Sequence, residues 1–400
     1  MTLKSGMKRI LAAVICLAAV TSCALGEVTL VETVKSGKVT EAVWTDSSGE
    51  PAAGPEGYTI IRYSVKKQGT EEMYFSADDE PYRMPGGYYG RLLTYDNKKK
   101  VTSIIYLDEN GERTMIDAGY SRVRTDYTSF GAEKIACYYD DENHPVNVPS
   151  LGYASVETDF RGKTMTKRTY YDENGKETDC ALGYAVITQK VNKKNQITSI
   201  TYTHADGSPA TCEDGWSRCE KELDKDGREV LTKYYTESGE LTDRGRGYAW
   251  EENDYSNKNE IRVTKYDAAG KKTETYGYAT VVRKIKDDLT VRESYLSADG
   301  SPAANSDGIG AINYGYDSEG RLYQVTYEDV SGSPAASPAG AYGYRDSFDE
   351  DGAVISRTFL GADGKPGDAA DGCREIRYIY DESKQLTETR KYNAEGIQIK

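Results

Sequence analysis

The sequence predicts an all-β protein, an elongated array of tandem β-hairpins forming a solenoid-like or twisted extended sheet, and three observations carry that expectation. Gly followed by an aromatic recurs about every 32 residues. Stretches of alternating polarity follow each such pair. The chain holds 34 Tyr against 5 Phe and 3 Trp. Tyrosine favours strands, and it buries a ring while its hydroxyl seeks a polar partner. A chain poor in Leu, Ile, Val and Phe with a net charge of -14 would otherwise read as disordered. The tyrosines contradict that and point to thin β-structure.

The period comes first because it fixes every element. The pairs are Gly57-Tyr58, Gly87-Tyr88, Gly119-Tyr120, Gly152-Tyr153, Gly183-Tyr184, Gly215-Trp216, Gly247-Tyr248 and Gly277-Tyr278. They degrade to Gly308-Ile309, Gly340-Ala341 and Gly372-Cys373. A strand follows each pair: in 58–66, Thr59, Ile61, Tyr63 and Val65 share one face. A turn of the kind Asp317-Ser318-Glu319-Gly320 comes next, since Asp bonds its own backbone and Gly takes positive φ. A second strand returns and ends on an aromatic: Tyr106, Tyr171, Tyr202, Tyr235, Tyr266, Tyr295, Tyr327, Phe359 or Tyr392. A polar loop, often Asp-Gly-x-Pro as at Asp206-Gly207-Ser208-Pro209, leads to the next unit. Equivalent tyrosines of successive units are expected to stack as ladders.

Four segments follow. Residues 1–26 read as a signal sequence, 27–56 as a cap or first partial repeat, 57–276 as well-formed repeats, and 277–400 as degenerate repeats with a C-terminal cap. Lys4, Lys8 and Arg9 precede the apolar run from Ile10 to Val20, which is too short for a membrane span and fits a secretory leader. Two exits remain open. Ala24-Leu25-Gly26 suits ordinary cleavage before Glu27. Val20-Thr21-Ser22-Cys23 suits lipidation of Cys23, which would make the anchor the one contact with a membrane. The expected location is secreted or on the cell surface. Basic residues are interspersed with acids throughout, so the chain lacks the clustered positive charge that nucleic acid requires.

At Tyr314-Gly315-Tyr316-Asp317-Ser318-Glu319-Gly320-Arg321-Leu322 the sequence resembles the YD repeat of Rhs-type proteins, and Tyr378 to Leu386 is a fainter copy. The hairpin-plus-loop plan also resembles MORN-variant repeats of bacterial surface proteins. The resemblance implies extended β-structure in a bacterial surface setting. It does not imply toxin delivery.

No catalytic motif appears, so no catalytic residue is expected. His144 and His204 sit in loops with no nucleophile nearby in sequence. A hydrolase hidden in the repeats would have to use one of them. The acidic turns Asp78-Asp79-Glu80, Asp140-Asp141-Glu142-Asn143 and Asp224-Lys225-Asp226-Gly227 offer oxygen clusters to calcium, but none has the EF-hand spacing, and no other cofactor is implied. Cys180 could bridge Cys212, one repeat away, or Cys212 could bridge Cys219. The bland alternative is five small buried thiols. The commoner use of the tyrosines is to pack strands. Should any of them bind a sugar, the Gly-adjacent Tyr153, Tyr184, Trp216 and Tyr248 are the candidates, on the face opposite Ala154, Ala185 and Ala249. The leading reading is a non-catalytic exported protein that binds a cell-surface polysaccharide or protein. The second is an envelope spacer or scaffold.

Overall fold

A computed structural model describes residues 28–381 and 384–399. The segment expected as a leader, with Cys23 and the two expected cleavage sites, lies outside the described residues. Those described form an all-β fold of antiparallel strands, with no helix among them. They divide into two compact units: residues up to 126 together with 136–148, and residues 127–135 together with 149–400.

Both units follow one plan. In the second, the hairpin Val186–Val191/Ile197–Thr203 is paired from Val186↔Thr203 to Val191↔Ile197. Its neighbour, Arg218–Leu223/Glu229–Tyr235, is paired from Arg218↔Tyr235 to Leu223↔Glu229. The joint between the two hairpins is shorter: Ser199↔Glu220, Ile200↔Cys219 and Thr201↔Arg218. In the first unit, Ile60–Lys66/Gly69–Phe75 and Gly90–Tyr95/Val101–Leu107 repeat the arrangement. The degenerate region keeps it, with Gly343–Phe348/Val354–Leu360 joined to Glu375–Tyr380. Thr29–Lys35 and Lys38–Thr45 form a hairpin paired from Thr29↔Thr45 to Lys35↔Lys38.

The turns explain the acidic motif. Asp224 donates its backbone N–H to the Arg228 carbonyl, Gly227 donates back to the Asp224 carbonyl, and Asp224 Oδ1 accepts N–H bonds from Asp226 and Arg228 at 2.9 Å each. Gly227 takes φ +83°, which a side chain would resist. The carboxylate acts as a local cap. It is therefore spoken for by its own backbone, and the same holds at Asp172, Asp317 and Asp349. Among the described residues no group of three or more His, Cys, Asp or Glu could hold a metal ion.

Candidate functional site

The Gly-adjacent rings enter the core. Each Gly before them has positive φ, from +74° at Gly247 to +85° at Gly183. That turns the chain so that the next side chain points inward. Tyr184, Trp216 and Tyr248 are only 6–7% exposed, and Tyr153 is half-buried against Tyr170. The expectation that these four offer a sugar-binding surface is corrected on this point. The alternation argument had set them opposite Ala154, Ala185 and Ala249, and those alanines are 0% exposed as well. Both sides of the strand start are covered, so opposing the alanine does not mean facing water.

The rings form ladders. In the second unit the rungs run Tyr153, Tyr170, Tyr184, Tyr202, Trp216, Tyr234 and Tyr248, with centroids 4.8 to 6.3 Å apart. In the first, Tyr58, Tyr74, Tyr88, Tyr106, Tyr120 and Tyr138 stack at 4.9 to 6.1 Å. The tilted and edge-on geometry is the one aromatic quadrupoles favour. Where the aromatic is lost, Ile309, Ala341 and Cys373 occupy the same buried position. Burial pushes the phenol pKa of Tyr74, Tyr170, Tyr184, Tyr202 and Tyr234 upward.

Register corrects the rung assignment. In the doublets Tyr170-Tyr171 and Tyr234-Tyr235 the first residue is the rung, because successive strand residues face opposite sides. Tyr171, Tyr235 and Tyr266 therefore belong to the other face. At Tyr266 the correction exposes an anomaly, since the rung position beside it is Lys265.

The face opposite the ladder is open and polar. Lys190, Ser199, Glu220, Lys233, Trp250 and Tyr266 stand directly across from one another on successive strands. Trp250 and Tyr266 stack at 3.7 Å with 6° between planes, and Lys233 Nζ lies 5.9 Å from the Trp250 ring. The Arg218 guanidinium sits 4.2 Å over Tyr235. A trough of about 370 Å³ is lined by Lys190, Arg218, Glu220, Lys233 and Tyr235. A second, of about 800 Å³, continues past Glu222 and Leu231 to Glu252, Arg262 and Thr280. The sequence reading missed this face because it followed the Gly-aromatic mark. The doublets and the Trp250/Tyr266 pair, read with strict period-2 alternation, carry the signal.

Charge also enters the ladder side. Lys265 is 8% exposed, with its amine 5.3, 5.0 and 4.7 Å from the Tyr248, Tyr276 and Tyr278 ring centroids. Burial lowers its pKa. Glu251 opposes that shift, while Arg244, Arg283 and Arg246 add to it. The Arg244 side chain is 6% exposed, lies 3.9 and 4.4 Å over Tyr234 and Tyr248, and donates to the Tyr248 hydroxyl. Its Nε is buried without a hydrogen-bond partner. Glu251 pairs in register with Lys265 on the same face. Aligning the repeats on their Gly would have shown all three as charges at core positions.

Cys180 and Cys219 lie within one hydrophobic cluster and Cys212 packs against it, all with free thiols. Cys219 is 2% exposed, and burial pushes its thiol up to about 12. At pH 8 a thiol reagent is expected to leave Cys219 unmodified in the native protein and to label it in urea. Labelling of native Cys219 at the rate of an unfolded cysteine, read by peptide mass spectrometry, would contradict its burial. His204 Nδ1 lies 2.6 Å from Asp179 Oδ2, and Ala205 N–H donates to the other oxygen, an arrangement that ties one connecting loop to the preceding one. His144 Nδ1 lies 3.5 Å from Asp140 and 3.7 Å from Glu142.

No protein-family model matches the chain, and no curated protein matches it. Among solved structures, a TcdB2-TccC3 crystal structure aligns over 88% of this chain and 17% of its own, at 13% identity and TM-score 0.33. The Photorhabdus luminescens Tc holotoxin pore aligns over 89% of this chain and 19% of its own, at 11% identity and TM-score 0.28. A porin-like protein from Bacteroides uniformis aligns over 83% and 93%, at 9% identity and TM-score 0.22. The chain thus spans under a fifth of the toxin chains it aligns with. What the chain itself shows is a β-hairpin repeat protein.

Proposed function

We propose that this chain is an exported, non-catalytic repeat protein that holds a polymer, a cell-surface polysaccharide before a protein, along the open face of its second unit. The observation that carries the reading is the row from Lys190 to Tyr266. Hydrogen-bonding and stacking side chains there stand side by side across successive strands, and Lys190, Ser199, Glu220 and Lys233 of the row line a polar trough. A polymer binds such a surface by many modest contacts, so affinity depends on length. The YD-type or MORN-type surface setting fits this role.

Trp250→Ala is expected to weaken retention on cell-wall polysaccharide at least fivefold while leaving the fold intact. Unchanged retention, or glycan hydrolysis that Asn at His204 abolishes, would overturn the proposal. The spacer reading has its own support, since the most regular aromatics are buried in the ladder. A spacer would retain nothing in the same assay.

A further inference from the structure

We propose that Arg244, Glu251 and Lys265 form a binding site for a carboxylate-bearing sugar ring, with Tyr276 as the surface on which the ring stacks. The choice of a sugar rests on the polymer-binding reading above; the choice of a carboxylate rests on the site alone.

The repeats supply the control. At the position three residues before the Gly, Met84, Ile116, Cys180 and Cys212 give way to Arg244, with Gly54, Pro149 and Glu274 at this place in other repeats. Four residues after the Gly, Ile61, Val123, Val156, Ile187, Cys219 and Val281 give way to Glu251, and the other charge at this place, Arg91, is paired with Glu72 at 2.8 Å. At the second-strand rung, Tyr74, Tyr106, Tyr138, Tyr170, Tyr202, Tyr234 and Tyr295 give way to Lys265, while Lys391, at the same place in the last repeat, is paired with Asp371 at 2.7 Å. Three core positions become charged within one repeat, around the single ring of Tyr248. Buried charge is costly unless it is paired. The preceding repeat, with Cys212, Cys219 and Tyr234, shows that the fold works without a charge at each place.

The pairing is incomplete. Arg244 Nη1 reaches Asp214 only at 3.7 Å, and its Nε has no partner. No carboxylate among the described residues is in ion-pair contact with the Lys265 amine, whose neighbours are tyrosine rings. Arg244, Arg246 and Lys265 stand against Asp214 and Glu251, three cations against two anions, which leaves one excess positive charge. One carboxylate oxygen on Arg244 Nε and the other on the Lys265 amine would satisfy both, as charge-assisted hydrogen bonds do. The Tyr276 ring lies 5.0 Å from the Lys265 amine. That ring is 52% exposed and sits at φ +65°, a conformation uncommon for a tyrosine and of the kind that clusters at ligand sites. Its exposed ring gives a sugar face something to lie on, and Glu251 offers an acceptor for a ring hydroxyl.

The test is calorimetric titration of the full chain with digalacturonate and with the corresponding neutral galactose disaccharide. Binding of the acid but not the neutral sugar is expected. Lys265→Tyr, which restores the rung, is expected to lose at least tenfold in affinity while melting at or above the wild-type temperature. Lys265→Met and Arg244→Cys serve as second variants should the added ring not fit, with the same expected loss. Equal binding of the two disaccharides, binding of neither, or full affinity in all three variants would overturn the site. Polysaccharide retention that responds to Trp250→Ala but not to Lys265→Tyr would sink this inference and leave the open-face reading standing.

Discussion

Replacing Trp216 by Ala is expected to cost about 3–5 kcal/mol, a large share of what a domain of ordinary stability possesses. Trp216 is 7% exposed and lies between Tyr202 at 5.2 Å and Tyr234 at 5.5 Å. Its removal opens a void that neither neighbour can fill, because each is held by its own next rung. Trp250→Ala on the open face is the matched comparison. That ring is half-buried and rests on Tyr266, so its loss costs on the order of 1 kcal/mol. Urea midpoints of the two variants separate these values. Equal midpoints would mean that the ladder is not the core.

The second large effect is alkaline unfolding. Tyr170, Tyr184, Tyr234, Tyr248 and Tyr295 are each under 10% exposed, and burial raises the pKa of every one. An acid with a raised folded pKa contributes full stability below its unfolded pKa, about 10 for tyrosine, and loses it as pH climbs toward the folded value. At pH 11 each ring that stays neutral while its unfolded counterpart ionises costs about 1.4 kcal/mol. Over Tyr184, Tyr234 and Tyr295, where burial raises the pKa furthest, the loss is about 4 kcal/mol, a large share of the stability of a marginally stable protein. Circular dichroism against pH is therefore expected to hold steady to about pH 10 and collapse within roughly the next unit. Phenolate absorbance should rise in the same step. A gradual phenolate titration with the sheet intact at pH 11.5 would show the rungs to be solvated.

Much of this was legible in the sequence because a period leaves so few choices. Once Gly183-Tyr184 and Gly215-Trp216 are set in register, strand, turn and return strand follow from alternation and from the Asp and Gly of the turns. Two features were not legible in that way. Alternation assigns Tyr184 and Ala185 to opposite faces, but it cannot say that both faces are covered where the connecting loop folds over the strand start. The doublet Tyr170-Tyr171 offers two rings of the same chemistry, and only the pairing Tyr170↔Val156 and Tyr171↔Ser155 decides which points inward. The charges at Arg244, Glu251 and Lys265 are a third case. They stand out only against the other repeats, since a lysine in a polar chain is unremarkable until Tyr234 and Tyr295 are seen at the same position on either side.

The ladder has an optical consequence. Trp216 sits in an unbroken line of tyrosines, every rung within van der Waals reach of the next. Excitation absorbed by any phenol of that line can pass from ring to ring and drain into the indole, whose excited state lies lower. The native second unit should therefore emit as tryptophan even when its tyrosines are excited. Unfolding should return the tyrosine band, so the protein carries a built-in spectroscopic gauge of how many rungs remain stacked.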